Sequence, residues 1–125
     1  MLVLIVDDNE DTTETAALLF GAWNHEIRVA HTGPEALQVA SDFEPEVILL
    51  DIGLPEIDGY EVARRLRQDP RFKGTLMIAV SGYGSDTDQQ LSREAGFDAH
   101  LVKPVDLERL NRLLSEKVEL KRGAK

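Results

Sequence analysis

Short apolar segments alternate along this chain with longer stretches of helical periodicity, and this alternation restricts the fold more than any other feature. Most of the apolar segments are continuous, which is typical of strands that are buried on both faces. Strands that alternate with helices form a parallel sheet joined by right-handed crossovers. The pattern therefore predicts an α/β domain built from five strand–helix units.

The predicted strands are short, and a helix follows each of them. We expect strands at 2–6, 26–30, 47–50, 76–80 and 98–102. The second is mixed in polarity, as an edge strand would be. Helices are predicted at 9–23, 32–42, 58–68, 86–95 and 106–120. Asn24 and Gly96 are residues that tolerate the left-handed conformation, so we expect them to end the first and fourth helices.

The natural arrangement for this pattern is a doubly wound, five-stranded parallel sheet in the flavodoxin-like order 2-1-3-4-5, with helices on both faces. In that order the topological switch point lies between the first and third strands. Ligands bind there, outside the carboxyl ends of the strands. We therefore expect a ligand site beside the residues that follow Val6 and Leu50.

Length and composition restrict the classes of protein. The 125 residues fit one domain, predicted at 1–120, followed by a basic tail at 121–125 that we expect to be disordered. The absence of cysteine excludes disulfides and thiol chemistry. A net charge of −9 disfavours nucleic acid as a partner. With no long apolar run and no signal-peptide pattern, we expect a cytoplasmic protein without a membrane span.

Three carboxylates fall at the predicted switch point. Asp7 and Asp8 follow the first strand, and Asp51 follows the third. Bringing like charges together raises their pKa values unless a cation joins them, and hard oxygen ligands in a small site favour Mg²⁺. The alternatives are that Asp7 and Asp8 cap the following helix and that Asp51 is an ordinary solvated acid.

Two further polar residues are predicted at the same edge of the sheet. Lys103 follows the fifth strand and precedes Pro104, whose peptide bond has the option of being cis. Ser81 follows the fourth strand and offers a hydroxyl donor. The alternatives are a surface lysine and a plain Ser-Gly turn. With one Mg²⁺ and Lys103, the three carboxylates are balanced in charge, a setting in which Asp51 can act as a nucleophile toward phosphorus.

The candidate site residues lie in short motifs on the expected strands. They are Val6-Asp7-Asp8-Asn9, Leu49-Leu50-Asp51-Ile52-Gly53-Leu54-Pro55, Asp58-Gly59, Ser81 and Lys103-Pro104. In these motifs and in their order, the sequence resembles the receiver domains of bacterial response regulators, including the chemotaxis regulator, over essentially its whole length.

The resemblance implies a role for each site residue. It makes Asp51 the phosphoacceptor and, with Asp8 and the carbonyl of Gly53, a direct Mg²⁺ ligand, while Asp7 acts through a bound water. Ser81 would be the hydroxyl that moves toward the phosphoryl group, and Lys103 would pair with that group.

The resemblance also implies partners. A phosphohistidine on a histidine kinase or a histidine phosphotransfer domain would be the donor. The surface of helix 4, strand 5 and helix 5 would change to control a downstream protein. Such a chain is not an ordinary enzyme, although it assists its own phosphorylation and dephosphorylation. The alternatives are a pseudo-receiver that only binds partners and, less favoured because no cap or substrate pocket is evident, a small phosphatase.

One position departs from the family pattern. Receiver domains often carry Tyr or Phe three residues before the lysine, and His100 stands there instead. His100 can rotate inward as a switch residue, or it can face solvent on an edge strand, which we expect more. The output could then be weak or sensitive to pH. Helix 4 has few large apolar residues, chiefly Leu91, so we expect it to be mobile.

Overall fold

The computed structural model describes residues 1–54, 56–82 and 84–123. Within these ranges, five parallel strands form one sheet in the order β2-β1-β3-β4-β5. The elements are β1 (Leu2–Val6), α1 (Glu10–Ala22), β2 (Glu26–Ala30), α2 (Gly33–Phe43), β3 (Val47–Asp51), α3 (Gly59–Arg67), a 3₁₀ turn (Pro70–Phe72), β4 (Leu76–Ser81), α4 (Asp86–Ala95), β5 (Ala99–Val102) and α5 (Leu107–Gly123). The predicted fold class and strand order are confirmed, and β2 is an edge strand as expected.

The boundaries differ from the predicted ones by small amounts. β3 and β4 each extend one residue further, because Asp51 pairs with Val80 and Ser81 pairs with Val102 in the sheet. α5 begins at Leu107, since the carboxylate of Asp106 accepts hydrogen bonds from the first backbone N–H groups of that helix.

α5 extends to Gly123, three residues into the predicted tail. Ala124 and Lys125 lie outside the described residues, as does Pro55 of the third-strand motif. The disorder expected for the tail stays a prediction.

The helices cover both faces of the sheet, each over its own apolar cluster. On one face, Val6, Leu50 and Ala79 pack against α2, α3 and α4. On the other face, Ile5 and Ile78 pack against Phe20 of α1 and against the buried leucines of α5. Successive residues of a strand point to opposite faces, so a continuous apolar strand supplies both clusters. Burial of each Val, Leu, Ile or Phe side chain in these clusters contributes roughly 1.5–3 kcal/mol.

Helix ends follow local capping chemistry. α1 begins at Glu10 because the side chain of Asn9 accepts hydrogen bonds from the next backbone N–H groups. Asn24 has a φ of 69° just after α1, and Gly96 has a φ of 108° just after α4, as the sequence predicted. At the start of α4, Ser85 and Asp88 form a reciprocal capping box.

Arg67 joins the ends of several elements. Its guanidinium donates to the carbonyl of Gly96 at 2.9 Å, to the carbonyls of Phe72 and Thr75, and to the carboxylate of Asp98 at 2.9 Å. These bonds connect the end of α3 to the residue that follows α4 and to the segment before β4. In the described part of the chain, no helix combines the length and apolar composition needed to cross a bilayer.

Candidate functional site

The sheet brings the three predicted carboxylates together. β1 and β3 are neighbouring parallel strands, with Val6 opposite Leu50, so the residues that follow them lie at the same height. One carboxylate oxygen from each of Asp7, Asp8 and Asp51 lies within 4.8 Å of the others. Asp7 is buried, Asp51 is half-buried and Asp8 is exposed. The cluster is therefore open to solvent on the Asp8 side.

Asp7 and Asp8 do not cap α1, because Asn9 fills that position. The capping alternative is therefore wrong for both. Instead, Oδ1 of Asp7 accepts a hydrogen bond from the backbone N–H of Asn9 at 2.9 Å. Burial raises the pKa of Asp7, this hydrogen bond lowers it, and the charge of Asp51 raises it further, so that the net pKa lies above its ordinary value.

The position of Asp51 is fixed by the backbone that follows it. Its Oδ1 accepts a hydrogen bond from the N–H of Gly53 at 2.9 Å. The chain then turns back, and the N–H of Gly59 donates to the carbonyl of Ile52 at 2.9 Å. The Asp51 side chain retains only about 12% of its accessible surface. It therefore has a defined orientation before any ligand arrives.

Lys103 joins the cluster from the end of β5. Its Nζ donates to Oδ2 of Asp51 at 3.2 Å and lies 3.6 Å from Oδ2 of Asp7. Burial lowers the pKa of Lys103, but the charges and hydrogen bonds of Asp51 and Asp7 outweigh burial and hold the pKa above its ordinary value. The Lys103–Pro104 peptide is cis, the option that the sequence allowed.

The donor set fits a divalent cation. Three carboxylates and one ammonium group leave two negative charges within a small volume. Carboxylate oxygens are hard ligands, which suit Mg²⁺ better than softer metals. Burial raises the pKa of Asp7 most, and the charge of Asp51 raises it further; a bound cation would offset both effects. Gly53, whose carbonyl is the expected ligand, lies next to Asp51 and donates its N–H to the Asp51 carboxylate.

Ser81 and His100 lie beside this cluster, in the interior of the protein. Ser81 ends β4, and its Oγ is 2.8 Å from Nε2 of His100. His100 retains 9% of its accessible surface, so the solvent-facing orientation that we expected is wrong. Its Nδ1 is 2.7 Å from Oγ of Ser92 on α4. Because both ring nitrogens have hydroxyl partners, burial of the imidazole leaves neither nitrogen unsatisfied.

Ser92 is a residue that the sequence reasoning missed as part of the site. A serine in a helix of polar composition is usually exposed, but Ser92 is only 1% exposed. Its position one helical turn before Ala95, which is also buried, is the signal that could have placed it on the inner face of α4.

A second missed feature is an apolar groove of about 510 Å³ between α1 and the segment that begins α5. Its apolar walls include Ala16 and Leu19 of α1 and Val105 and Leu107 from the other side. The groove also reaches Asp51 and Lys103, so that it forms an open approach to the carboxylate cluster.

Comparisons with known proteins agree with this geometry. Residues 3–115 match the family model described as the response regulator receiver domain. The polar-differentiation response regulator DivK of Brucella ovis is 35% identical over 107 residues, which cover 86% of this chain and 87% of DivK.

Solved structures show the same likeness. The chemotaxis response regulator CheY4 of Vibrio cholerae is similar with a TM-score of 0.86 and 27% identity, over 93% of this chain and 97% of CheY4. A CheY-like receiver domain protein from Methanospirillum hungatei is similar with a TM-score of 0.89 and 27% identity, over 99% of this chain and 98% of that one.

Proposed function

Because this chain belongs to the family of response regulator receiver domains, which are phosphoacceptor signalling domains, we propose that it takes a phosphoryl group onto Asp51 from a phosphohistidine donor. Receiver domains are signalling switches and not classical enzymes. The observation that carries the assignment to Asp51 is its setting: a carboxylate fixed by the N–H of Gly53, 3.2 Å from the ammonium of Lys103 and clustered with two other carboxylates.

The reaction needs little from the protein beyond orientation and charge. The carboxylate of Asp51 attacks phosphorus, the N–P bond of the donor histidine breaks, and the imidazole leaves as the acyl phosphate forms. A carboxylate nucleophile has no proton to remove during the attack, so the reaction requires no general base. Lys103 then pairs with a phosphoryl oxygen in place of the carboxylate oxygen, which offsets part of the added negative charge.

Receiver domains generally bind Mg²⁺ at an acidic pocket, and here Asp8, Asp51 and the carbonyl of Gly53 would hold it, with Asp7 acting through a water. When bound, the cation supplies positive charge that stabilises the transferring phosphoryl group. The exposed Asp8 and Gly53 leave this side of the cluster accessible to water. We therefore include in the proposal that the chain assists its own dephosphorylation.

The donor has to bring its phosphohistidine to Asp51, and the apolar groove is the surface that leads there. The groove is bordered by α1 and by Val105 and Leu107, and it ends at Asp51 and Lys103. An apolar face on a histidine kinase or a histidine phosphotransfer domain would bury Leu107, which is 51% exposed. Leu107→Asp should therefore slow transfer from a phosphorylated histidine phosphotransfer domain more than it slows labelling by acetyl phosphate.

The output of the switch belongs to the opposite side of the site. The Ser81 hydroxyl donates a hydrogen bond to a phosphoryl oxygen, and the surface of α4, β5 and α5 changes in response. This surface carries exposed apolar side chains, Leu91 on α4 at 43% and Val102 on β5 at 40%. Such side chains suit a contact with a downstream protein, in the cytoplasm.

Intact-mass analysis after incubation with acetyl phosphate tests the proposal. The wild type should gain one phosphoryl group with Mg²⁺ and none after chelation, and Asp51→Asn should gain none. Asp42→Asn, which changes an exposed carboxylate on α2, is the matched control and should gain the group normally. If the wild type gains no mass and binds no beryllofluoride, the pseudo-receiver reading replaces the switch.

Dephosphorylation is measured on the same samples. Once Asp51 is phosphorylated, chelation of Mg²⁺ should slow the loss of the phosphoryl mass if the folded site assists hydrolysis. A decay rate equal to that of the urea-unfolded acyl phosphate would show that the site contributes nothing to dephosphorylation.

A further inference from the structure

Three side chains form a hydrogen-bonded chain from the end of β4 to the inner face of α4. Ser81 Oγ lies 2.8 Å from His100 Nε2, and His100 Nδ1 lies 2.7 Å from Ser92 Oγ. All three residues are buried, with exposed fractions of 8%, 9% and 1%. We propose that Ser92 is a positioning residue that couples α4 to the phosphoryl site through the tautomer of His100, a role that rests on the proposed function of Asp51.

The geometry of the sheet explains why these three side chains meet. His100 pairs with Ala79 across β4 and β5, and Ala79 belongs to the apolar cluster on the α4 side of the sheet. Ser81 lies two residues beyond Ala79 and therefore points to the same side. The imidazole of His100 thus spans the space between a strand end at the phosphoryl site and a helix that contacts β5.

The number of available protons limits how Ser81, His100 and Ser92 can be hydrogen-bonded to one another. A neutral imidazole has one N–H donor and one acceptor nitrogen, and each serine hydroxyl has one proton to donate. In the first arrangement, Ser81 donates to Nε2 and Nδ1–H donates to Ser92. In the second, Nε2–H donates to Ser81 and Ser92 donates to Nδ1. A neutral ring bonded at both nitrogens therefore adopts one of these two tautomers.

A phosphoryl group on Asp51 selects the second arrangement. Once the Ser81 hydroxyl donates its single hydrogen bond to a phosphoryl oxygen, it can no longer donate to Nε2 of His100. The ring must then carry its proton on Nε2, and Nδ1 must accept from Ser92.

The change at Ser92 reaches α4 itself. In the first arrangement the Ser92 hydroxyl accepts from His100, and its own proton is free for a carbonyl in the preceding turn of α4. In the second arrangement the Ser92 hydroxyl donates that proton to Nδ1 of His100 on β5. Phosphorylation thus commits the Ser92 hydroxyl proton to a hydrogen bond between α4 and the sheet.

Nitrogen NMR of the full chain labelled with ¹⁵N-histidine tests the assignment. Two-bond ¹⁵N–¹H correlations identify which ring nitrogen carries the proton, and a His100→Asn variant identifies the His100 signals among the three histidines. Beryllofluoride with Mg²⁺ serves as the phosphoryl mimic, and its ¹⁹F signal, absent in Asp51→Asn, reports adduct formation. We expect the adduct to hold His100 as the Nε2–H tautomer.

Ser92→Ala tests the coupling, with Thr87→Ala as the matched control because Thr87 is an exposed hydroxyl residue on the same helix. In Ser92→Ala the adduct should still form, and His100 should still carry its proton on Nε2, because Ser81 sets that tautomer and remains in place. The backbone amide shift changes that the adduct causes along α4 should fall to less than half of the wild-type values. Thr87→Ala should keep both the Nε2–H tautomer of His100 and the wild-type amide shift changes along α4.

The outcomes separate the two proposals. If the wild type forms no adduct and accepts no phosphoryl group, the proposed function fails and this inference fails with it. If the adduct forms but His100 carries its proton on Nδ1, or on both nitrogens, only the role of Ser92 is overturned. An α4 response in Ser92→Ala equal to that of the wild type overturns it as well.

Discussion

The backbone of Gly59 packs so closely on Asp51 that a Cβ atom at position 59 would lie 2.8 Å from the Asp51 carbonyl oxygen. The same atom would lie 2.7 Å from Cα of Ile52. Both neighbours are backbone, so neither can swing aside as a flexible side chain would. The first residue of α3 therefore sets the path of the chain directly behind the proposed phosphoacceptor.

Gly59→Ala should destabilise the fold and disturb the site together. We expect a loss of about 1–3 kcal/mol in the free energy of unfolding, since the added methyl group overpacks a closed contact. Labelling of Asp51 by acetyl phosphate should slow in the same variant. Urea denaturation and intact mass measure the two effects.

Gly21→Ala is the matched control for that substitution. Nothing lies within 4 Å of a Cβ at Gly21, which is inside α1. This change should stabilise the protein by about 0.5–1 kcal/mol through a smaller loss of backbone entropy on folding. A Gly59→Ala variant as stable as the wild type would mean that the loop before α3 is not fixed against β3.

Lys103→Met should slow phosphorylation strongly while keeping most of the aliphatic stem. The ammonium lies 3.2 Å from Asp51, where a positive charge stabilises the incoming phosphoryl group. Loss of one such donor reduces rates on the order of a hundredfold or more. Lys73→Met, at an exposed lysine after the 3₁₀ turn, should label at the wild-type rate. Equal rates for both variants would remove Lys103 from the mechanism.

Magnesium should stabilise the folded wild type. Binding to the native state alone adds about 1.4 kcal/mol when free Mg²⁺ is ten times its Kd. Thermal melts with and without Mg²⁺ measure the shift, and Asp8→Asn should lose most of it. Ca²⁺, which demands more ligands, gives a comparison for selectivity. An Asp8→Asn variant that shows the full Mg²⁺ shift would place the cation elsewhere.

The raised pKa of Asp7 predicts a specific pH dependence without Mg²⁺. The folded state holds the Asp7 proton more tightly than the unfolded state does, so this group's contribution to stability is present below its ordinary pKa of 3.8. That contribution is lost as the pH rises through the higher folded-state pKa. Asp7→Asn should therefore raise the melting temperature by a few degrees near pH 7 and have little effect near pH 3. A variant less stable than the wild type near pH 7 would contradict this.

Much of the site could be predicted because it depends on periodicity and on the carboxyl-end rule for parallel strands. The apolar strands that end before Asp7, Asp51 and Lys103 place those residues at one edge whatever the details of packing. The capping residue of α1 could not be chosen in the same way. Asp7, Asp8 and Asn9 are all good capping residues, and only the observed path of the chain selects Asn9.

The orientation of His100 could not be read from its own strand. β5 is an edge strand, and an edge-strand histidine is usually exposed. Its burial depends on Ser92, which lies eight residues earlier on another element and satisfies the second ring nitrogen. Sequence periodicity does not report such a partnership, because it arises only from the packing of α4 on the sheet.

The bond from Arg67 to Gly96 has a mechanical consequence for α4. It fixes the C-terminal end of the helix to α3, while the N-terminal end carries exposed residues from Ser85 to Thr87. The helix is then a lever about 15 Å long, with its fulcrum at Gly96. A tilt of about 10° would move the far end by roughly 2.6 Å while Gly96 stays nearly still. Ser92 lies close to the fulcrum, where a small change in one hydrogen bond is amplified along the arm.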